Sequence, residues 1–230
     1  MKRGNGNSSA IYVGLTLCSI TLNLVTVILS LSFLTEALFG SDLERMIYIS
    51  HHQSQIVIAW SAWIVATLAM VLVLIMLTHK LGRQFRAILQ LALLIWVIGA
   101  SAGVLTHLIQ MTIIPGVAAL FLQMPSVALA HYFSSWDQLM QEMMTLFSNT
   151  AYAISALIFT TVMLRSRFLS EKASYTAVCL WALLLFAVVT SQWVEFLMPF
   201  VLGSSFILFI PWVLLVSGGD DSQGRESIYS

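Results

Sequence analysis

The chain has 230 residues, of which 59% are hydrophobic and 9% charged; ten basic and ten acidic side chains give a formal net charge of zero, and the mean hydropathy is +0.92. Soluble domains carry roughly 25% charged residues, so this composition excludes a water-soluble fold and requires a lipid bilayer as solvent. The apolar runs are long and unbroken instead of alternating, which excludes a barrel and predicts an all-α, polytopic membrane helical bundle.

In chain order, six runs approach the roughly 20 residues that a hydrocarbon core of about 30 Å demands. They cover residues 11–34, 56–77, 87–111, 139–164, 173–197 and 200–216, the last being the shortest and containing Pro211. Lys2 and Arg3 precede the first run, but its apolar length is about twice that of a signal-peptide core. No small-x-small site follows at Thr35 to Ser41, so the run is expected to stay as an anchor. A hydrophilic loop, Thr35 to His52, separates the first two spans. The stretch from Thr112 to Trp136 is apolar but interrupted by Pro115, Gly116 and Pro125, which predicts an interfacial or re-entrant segment capping the outer face in place of a seventh span. Residues 1–217 thus read as one six-helix transmembrane domain and 218–230 as a polar cytoplasmic tail.

Orientation follows from the basic residues. Lys2, Arg3, Lys80, Arg83, Arg86, Arg165, Arg167, Lys172 and Arg225 all fall on one side of the six spans, and Arg45 alone lies in a loop on the other. The positive-inside rule then predicts both termini in the cytoplasm and a multi-pass protein of the bacterial-type cytoplasmic (inner) membrane. No basic stripe with interleaved aromatics occurs, so nucleic acid is not an expected partner. Cys18 and Cys179 fall inside helices, where packed thiols are expected in place of a disulfide. Trp60, Trp136 and Trp193 lie near helix ends, as an interfacial aromatic belt would place them.

The depth of the intramembrane polar residues is the feature that points to function. Toward the outer surface the second span begins with His52 and Gln55, the third ends with Thr106, His107 and Gln110, the fourth begins with Asp137, Gln141 and Glu142, and the fifth ends with Gln192 and Glu195. On the third helix Gly99, Gly103, Thr106, His107 and Gln110 share a face; on the fourth, Asp137, Gln141, Thr145, Ser148 and Tyr152 form a stripe. Exposed to lipid, such stripes are costly, so both faces are expected to point inward around a polar cavity that opens outward, with the two glycines admitting a close neighbour.

This cluster admits three readings. The amides and carboxylates satisfy one another and fix helix packing. Alternatively, His52, His107, Glu142 and Glu195 supply imidazole and carboxylate ligands for a metal or haem in a membrane oxidoreductase or metalloenzyme, although no HExxH, Glu-x-x-His or CxxC spacing supports it. In the third reading His52, Gln55, His107, Gln110, Asp137, Gln141, Glu142 and Glu195 line a pocket for a small molecule or lipid. A transporter needs polar residues that continue inward, where Asn23 and Gln90 are the only amides. No serine lies in a GxSxG turn and no phosphate-cradling loop is present, so no catalytic residue is assigned.

The run AYAISALIFTTVMLRSRFLS, from Ala151 to Ser170, and the ending FILFIPWVLLVSG, from Phe206 to Gly218, resemble the C-terminal half of uncharacterised six-helix bacterial membrane proteins. The likeness covers about a third of the chain and is mainly hydropathy. It implies the six-helix fold and no activity. The expected function is a small-molecule or lipid-binding membrane component, or an accessory subunit beside a membrane-protein partner, without intrinsic catalysis.

Overall fold

The computed structural model describes residues 5–81, 83–166, 168, 170–194, 197 and 201–218, leaving aside the side chains of 5–10, 83, 217 and 218. The described residues are helical throughout, with no strand among them. The elements are α1 (Asn5–Phe33), α2 (Thr35–Leu38), α3 (Asp42–His51), α4 (Gln53–Lys80), a 3-10 turn (Arg83–Phe85), α5 (Arg86–Gln123), α6 (Val127–Glu142), a π turn (Met143–Ser148), α7 (Asn149–Arg165), α8 (Glu171–Thr190) and α9 (Ser204–Gly218). Five stretches are long and apolar enough to cross a membrane: Ile11–Phe33, α4, α5, the continuous Val127–Arg165, and α8; the apolar part of α9 is shorter.

The long helices pack in chain order. α1 lies on α4, α4 on α5, α5 on α7 and α7 on α8, and α9 closes the ring by packing against both α8 and α1. Hydroxyl and amide donors reach across these seams to backbone carbonyls, whose oxygens carry a second lone pair beyond the one a helical hydrogen bond uses. Thr26 donates to the Ala62 carbonyl at 3.1 Å, Ser155 to that of Ala92 at 2.6 Å, and Asn149 to that of Val201 at 2.8 Å. Where lipid is as apolar as leucine, such bonds and close packing take over from the hydrophobic effect between helices. The core beneath is aromatic. Trp96 meets Tyr152 at 4.6 Å and Trp181 at 6.2 Å, Trp181 meets Trp212 at 5.8 Å, and the Trp212 indole N–H donates to Thr160 at 3.0 Å. These tryptophans are fully buried. Of the three assigned to an interfacial belt, Trp60 is also buried, Trp136 is half-buried and Trp193 is strongly exposed, so the belt reading fails for Trp60.

Two stretches differ from the sequence expectation. The segment 112–136 is not a re-entrant loop. α5 runs on through Pro115 and Gly116 to Gln123, and α6 starts at Val127 behind the N-cap Ser126, whose side chain accepts from the Leu129 amide. Proline deletes one helical hydrogen bond, but Ile114, Pro115 and Ala118 are buried against neighbouring helices, and that packing keeps the helix intact. The third and fourth spans therefore extend beyond residues 111 and 139 at that end. With 38 residues in α5 against 28 in α4, the α5–α6 hairpin projects about 15 Å past the start of α4 at 1.5 Å per residue.

Thr35 to His52 is likewise not a plain loop. It folds as α2 and α3, joined at Gly40, whose φ of +122° lies in the left-handed region that favours glycine. Ser41 then opens α3 with a reciprocal capping box to Glu44. α3 packs on α5 and α6, so these elements form a small helical headpiece on one end of the bundle. At the same end of the bundle α8 closes at Thr190, short of the expected 197. Cys18 and Cys179 are free and exposed on the outside of their helices, not packed. The tail from residue 219 lies outside the described residues.

Candidate functional site

A buried ion pair ties the headpiece together. Arg45, 5% exposed, and Asp137, 6% exposed, meet in a two-pronged contact: Nη1 donates to Oδ2 at 2.9 Å and Nη2 to Oδ1 at 2.5 Å. Arg45 Nε donates to the Ala37 carbonyl at 2.9 Å, the guanidinium stacks 5.2 Å above the Phe133 ring, and Asp42 stands 3.6 Å from Nη1. Gln141 adds a third donor to Asp137 at 2.8 Å. A buried pair joined at two points, with further hydrogen bonds to each partner, is the geometry in which Coulomb attraction offsets desolvation. Arg45 ties α2, α3 and α6 into one body.

Below the headpiece the polar face of α5 turns inward, as its spacing predicts. Gly99, Gly103, Thr106, His107 and Gln110 are all buried. A Cβ at Gly99 meets Ala151 Cβ at 2.7 Å and the Ser148 carbonyl oxygen at 3.2 Å, so glycine is what lets α7 approach. Opposite these glycines the π turn interrupts α6–α7. The Asn149 amide bonds the Met144 carbonyl five residues back, and the Ser148 hydroxyl reaches Met143 at 3.2 Å. The extra residue per turn brings Thr145, Ser148, Asn149 and Tyr152 inward together.

His107 sits in an aromatic cage. Its ring stacks on Trp60 at 4.9 Å and meets Trp63 at 5.2 Å; Trp63 in turn packs on Phe206 of α9 at 4.2 Å and donates its indole N–H to Ser30. The imidazole is 1% exposed, and neither ring nitrogen has a hydrogen-bond partner among the described residues.

The expected single cluster is divided. Asp137 and Gln141 belong to the Arg45 clamp. Glu142 accepts from Gln138 at 3.0 Å on a more exposed face. His52 stacks on Tyr48 at 4.2 Å at the α3–α4 junction, with Nδ1 3.0 Å from the Tyr48 carbonyl oxygen, and Gln55 bonds Ser54 at 3.1 Å nearby. His107 and Gln110 lie deeper, on α5. Glu195 lies outside the described residues. Among the described residues no group of three or more His, Cys, Asp or Glu side chains is placed to hold a metal ion, because His52, His107 and Glu142 each face a different neighbour.

A cavity of about 280 Å³ lies away from this cluster, where the end of α1 and α2 meet Trp63 of α4 and residues 202–207. Val27, Leu31, Leu34, Leu38, Leu202 and Ile207 supply its apolar wall. Its two hydroxyls are already used: Ser30 donates to the Thr26 carbonyl at 2.7 Å and Thr35 to that of Leu31 at 3.0 Å. Sequence reasoning that followed ionisable and amide residues missed both this groove and Arg45. The available signal for Arg45 was its isolation as the one basic residue facing an acidic one, Asp137, across two loops. No protein-family model matches the chain, and no curated protein and no solved structure is significantly similar to it.

Proposed function

We propose that this chain is a six-span protein of the cytoplasmic membrane with both termini inside, and that it works as a lipid-binding membrane component or accessory subunit without chemistry of its own. The groove between α1, α2 and α9 is its binding site and an acyl chain is the occupant. One observation carries the reading: the groove's two hydroxyls spend their protons on their own helix, so its wall offers shape and mainly apolar contact with no hydroxyl proton to donate. A polar molecule entering it would lose its hydrogen bonds to water without replacement. A lipid tail loses nothing. The rim is apolar too, with Ile28, Leu31 and Ile207 exposed by 61%, 71% and 55%, so the groove opens onto lipid where these helices cross the bilayer.

Gly203 tests the assignment. A Cβ there points toward Trp63 at 3.6 Å, an ordinary contact, so a larger side chain enters the groove without disturbing backbone. Native mass spectrometry of the wild type in mild detergent is expected to show at least one phospholipid retained after the annular lipids are stripped, and Gly203→Leu is expected to lose it. Equal retention in the two proteins sinks the acyl-chain reading.

A further inference from the structure

The acyl groove ends against charge, and that charge has one sign. Its lining follows α1 into α2 from Val27 to Phe39, and helical hydrogen bonds from the Leu34, Leu38 and Phe39 amides carry the helix through the joint. At 1.5 Å per residue this wall is about 18 Å long, a length that suits an extended acyl chain. Val27 lies within the membrane-spanning stretch Ile11–Phe33 and Phe39 beyond it, so a tail lying in the groove has its headgroup at the Phe39 end.

Glu44 stands there. The chain turns into α3 directly after Phe39, and the Glu44 carboxylate folds back over the turn, its Oε2 3.3 Å from where a Cβ on Gly40 would stand. Oε2 takes both the Ser41 amide, at 3.0 Å, and the Ser41 hydroxyl, at 2.7 Å, and these bonds hold the carboxyl below its ordinary value and keep it ionised at neutral pH. Nothing among the described residues bonds the other oxygen, Oε1. Glu36 is exposed on α2, on the near side of the same turn.

No cation offsets these two carboxylates. Arg45 is the one Lys or Arg at this end of the bundle, and its guanidinium is committed to Asp137 and the Ala37 carbonyl inside the headpiece, with Asp42 beside it. Headgroups separate on this. Phosphatidylglycerol brings a net negative charge to meet like charge within a Debye length of about 8 Å, and no basic side chain here receives its phosphate. Phosphatidylcholine carries a quaternary ammonium with no N–H to donate. A primary ammonium brings positive charge and three donors, one of which Oε1 of Glu44 can accept in a charge-assisted bond.

We infer that the groove selects a phospholipid ending in a primary ammonium, phosphatidylethanolamine, with its tail along Val27 to Leu38 and its ammonium at Glu44 in the field of Glu36. This rests on the acyl-chain reading of the groove. Phosphatidylethanolamine, phosphatidylcholine and phosphatidylglycerol with identical tails, mixed in equal amounts, are offered to the delipidated full-length protein in mild detergent, and the bound species are counted by native mass spectrometry. The ethanolamine lipid is expected to exceed each of the others several-fold. Glu44→Gln keeps an acceptor for the capping box and is expected to bring the three lipids to near parity while binding persists. Glu36→Lys, at an exposed position outside that box, is expected to move the preference toward phosphatidylglycerol. Parity or another preferred headgroup in the wild type overturns the inference and leaves the acyl groove standing, and so does an ethanolamine preference unchanged in both variants. Gly203→Leu is expected to lose all three lipids. A wild type that holds none of them, or a Gly203→Leu that holds them as the wild type does, removes the groove reading and this inference with it.

Discussion

Arg45 and Asp137 are 92 positions apart in sequence and share two hydrogen bonds in a buried site. Removing one partner leaves the other charge buried and unpaired, so Arg45→Ala and Asp137→Ala are each expected to lower stability by about 3–5 kcal/mol, measured by denaturant unfolding in detergent. The double variant Arg45→Met, Asp137→Leu is expected to recover most of that loss. If the single and double variants are equally unstable, the clamp is not an ion pair in energetic terms. Glu44 supplies a different electrostatic test. The Ser41 backbone and hydroxyl hold its carboxyl below the ordinary value of 4.5, so the capping box contributes fully above that value and loses its contribution as pH falls through the lowered one. The Ser41 amide resonance is expected to shift on acidification in the wild type and to stay put in Glu44→Gln. Of these two residues, Glu44 was legible, since S-x-x-E is a local signature. Arg45 showed only in its isolation on that side, and its partner did not, because nothing local pairs position 45 with 137.

At the scale of the element, glycines divide by what surrounds them. Gly99→Ala forces a Cβ into Ala151 and the Ser148 carbonyl and is expected to cost roughly 1–3 kcal/mol. Gly116 has nothing within 4 Å of where a Cβ would stand, so Gly116→Ala is expected to gain about 0.5–1 kcal/mol by helix propensity alone. Thermal scans of both variants check the contrast, and a stabilising Gly99→Ala would refute the close α5–α7 approach. The inward faces of α5 and of the α6–α7 stretch could be read from spacing, because period 3.6 survives a change of environment. Helix ends could not: Pro115 and Gly116 are breakers in isolation, and burial against other helices overrode them.

For the whole molecule, the proposed six crossings and inward termini make a labelling prediction. A cysteine at Ser126, in the α5–α6 turn, is expected to react with a membrane-impermeant maleimide only from outside, whereas cysteines at Asn7 and Ser222 react only once the membrane is breached. Reaction of Ser222→Cys from outside would show that α9 does not cross. Composition pointed to a bilayer and to helices, and the all-helical fold with five apolar helices of spanning length agrees; the closed order of the helices and the projecting headpiece depend on contacts between distant segments that periodicity does not encode.

The π turn has a mechanical meaning for this assembly. One residue more than an α-helix per turn is a phase slip: shifting or erasing it rotates everything on one side of it by about 100° relative to the other. α7 is locked to the bundle at Gly99, so the rotation would fall on α6, and α6 carries Asp137. Arg45 grips that carboxylate, so deleting one residue to erase the π turn would also have to break the headpiece clamp.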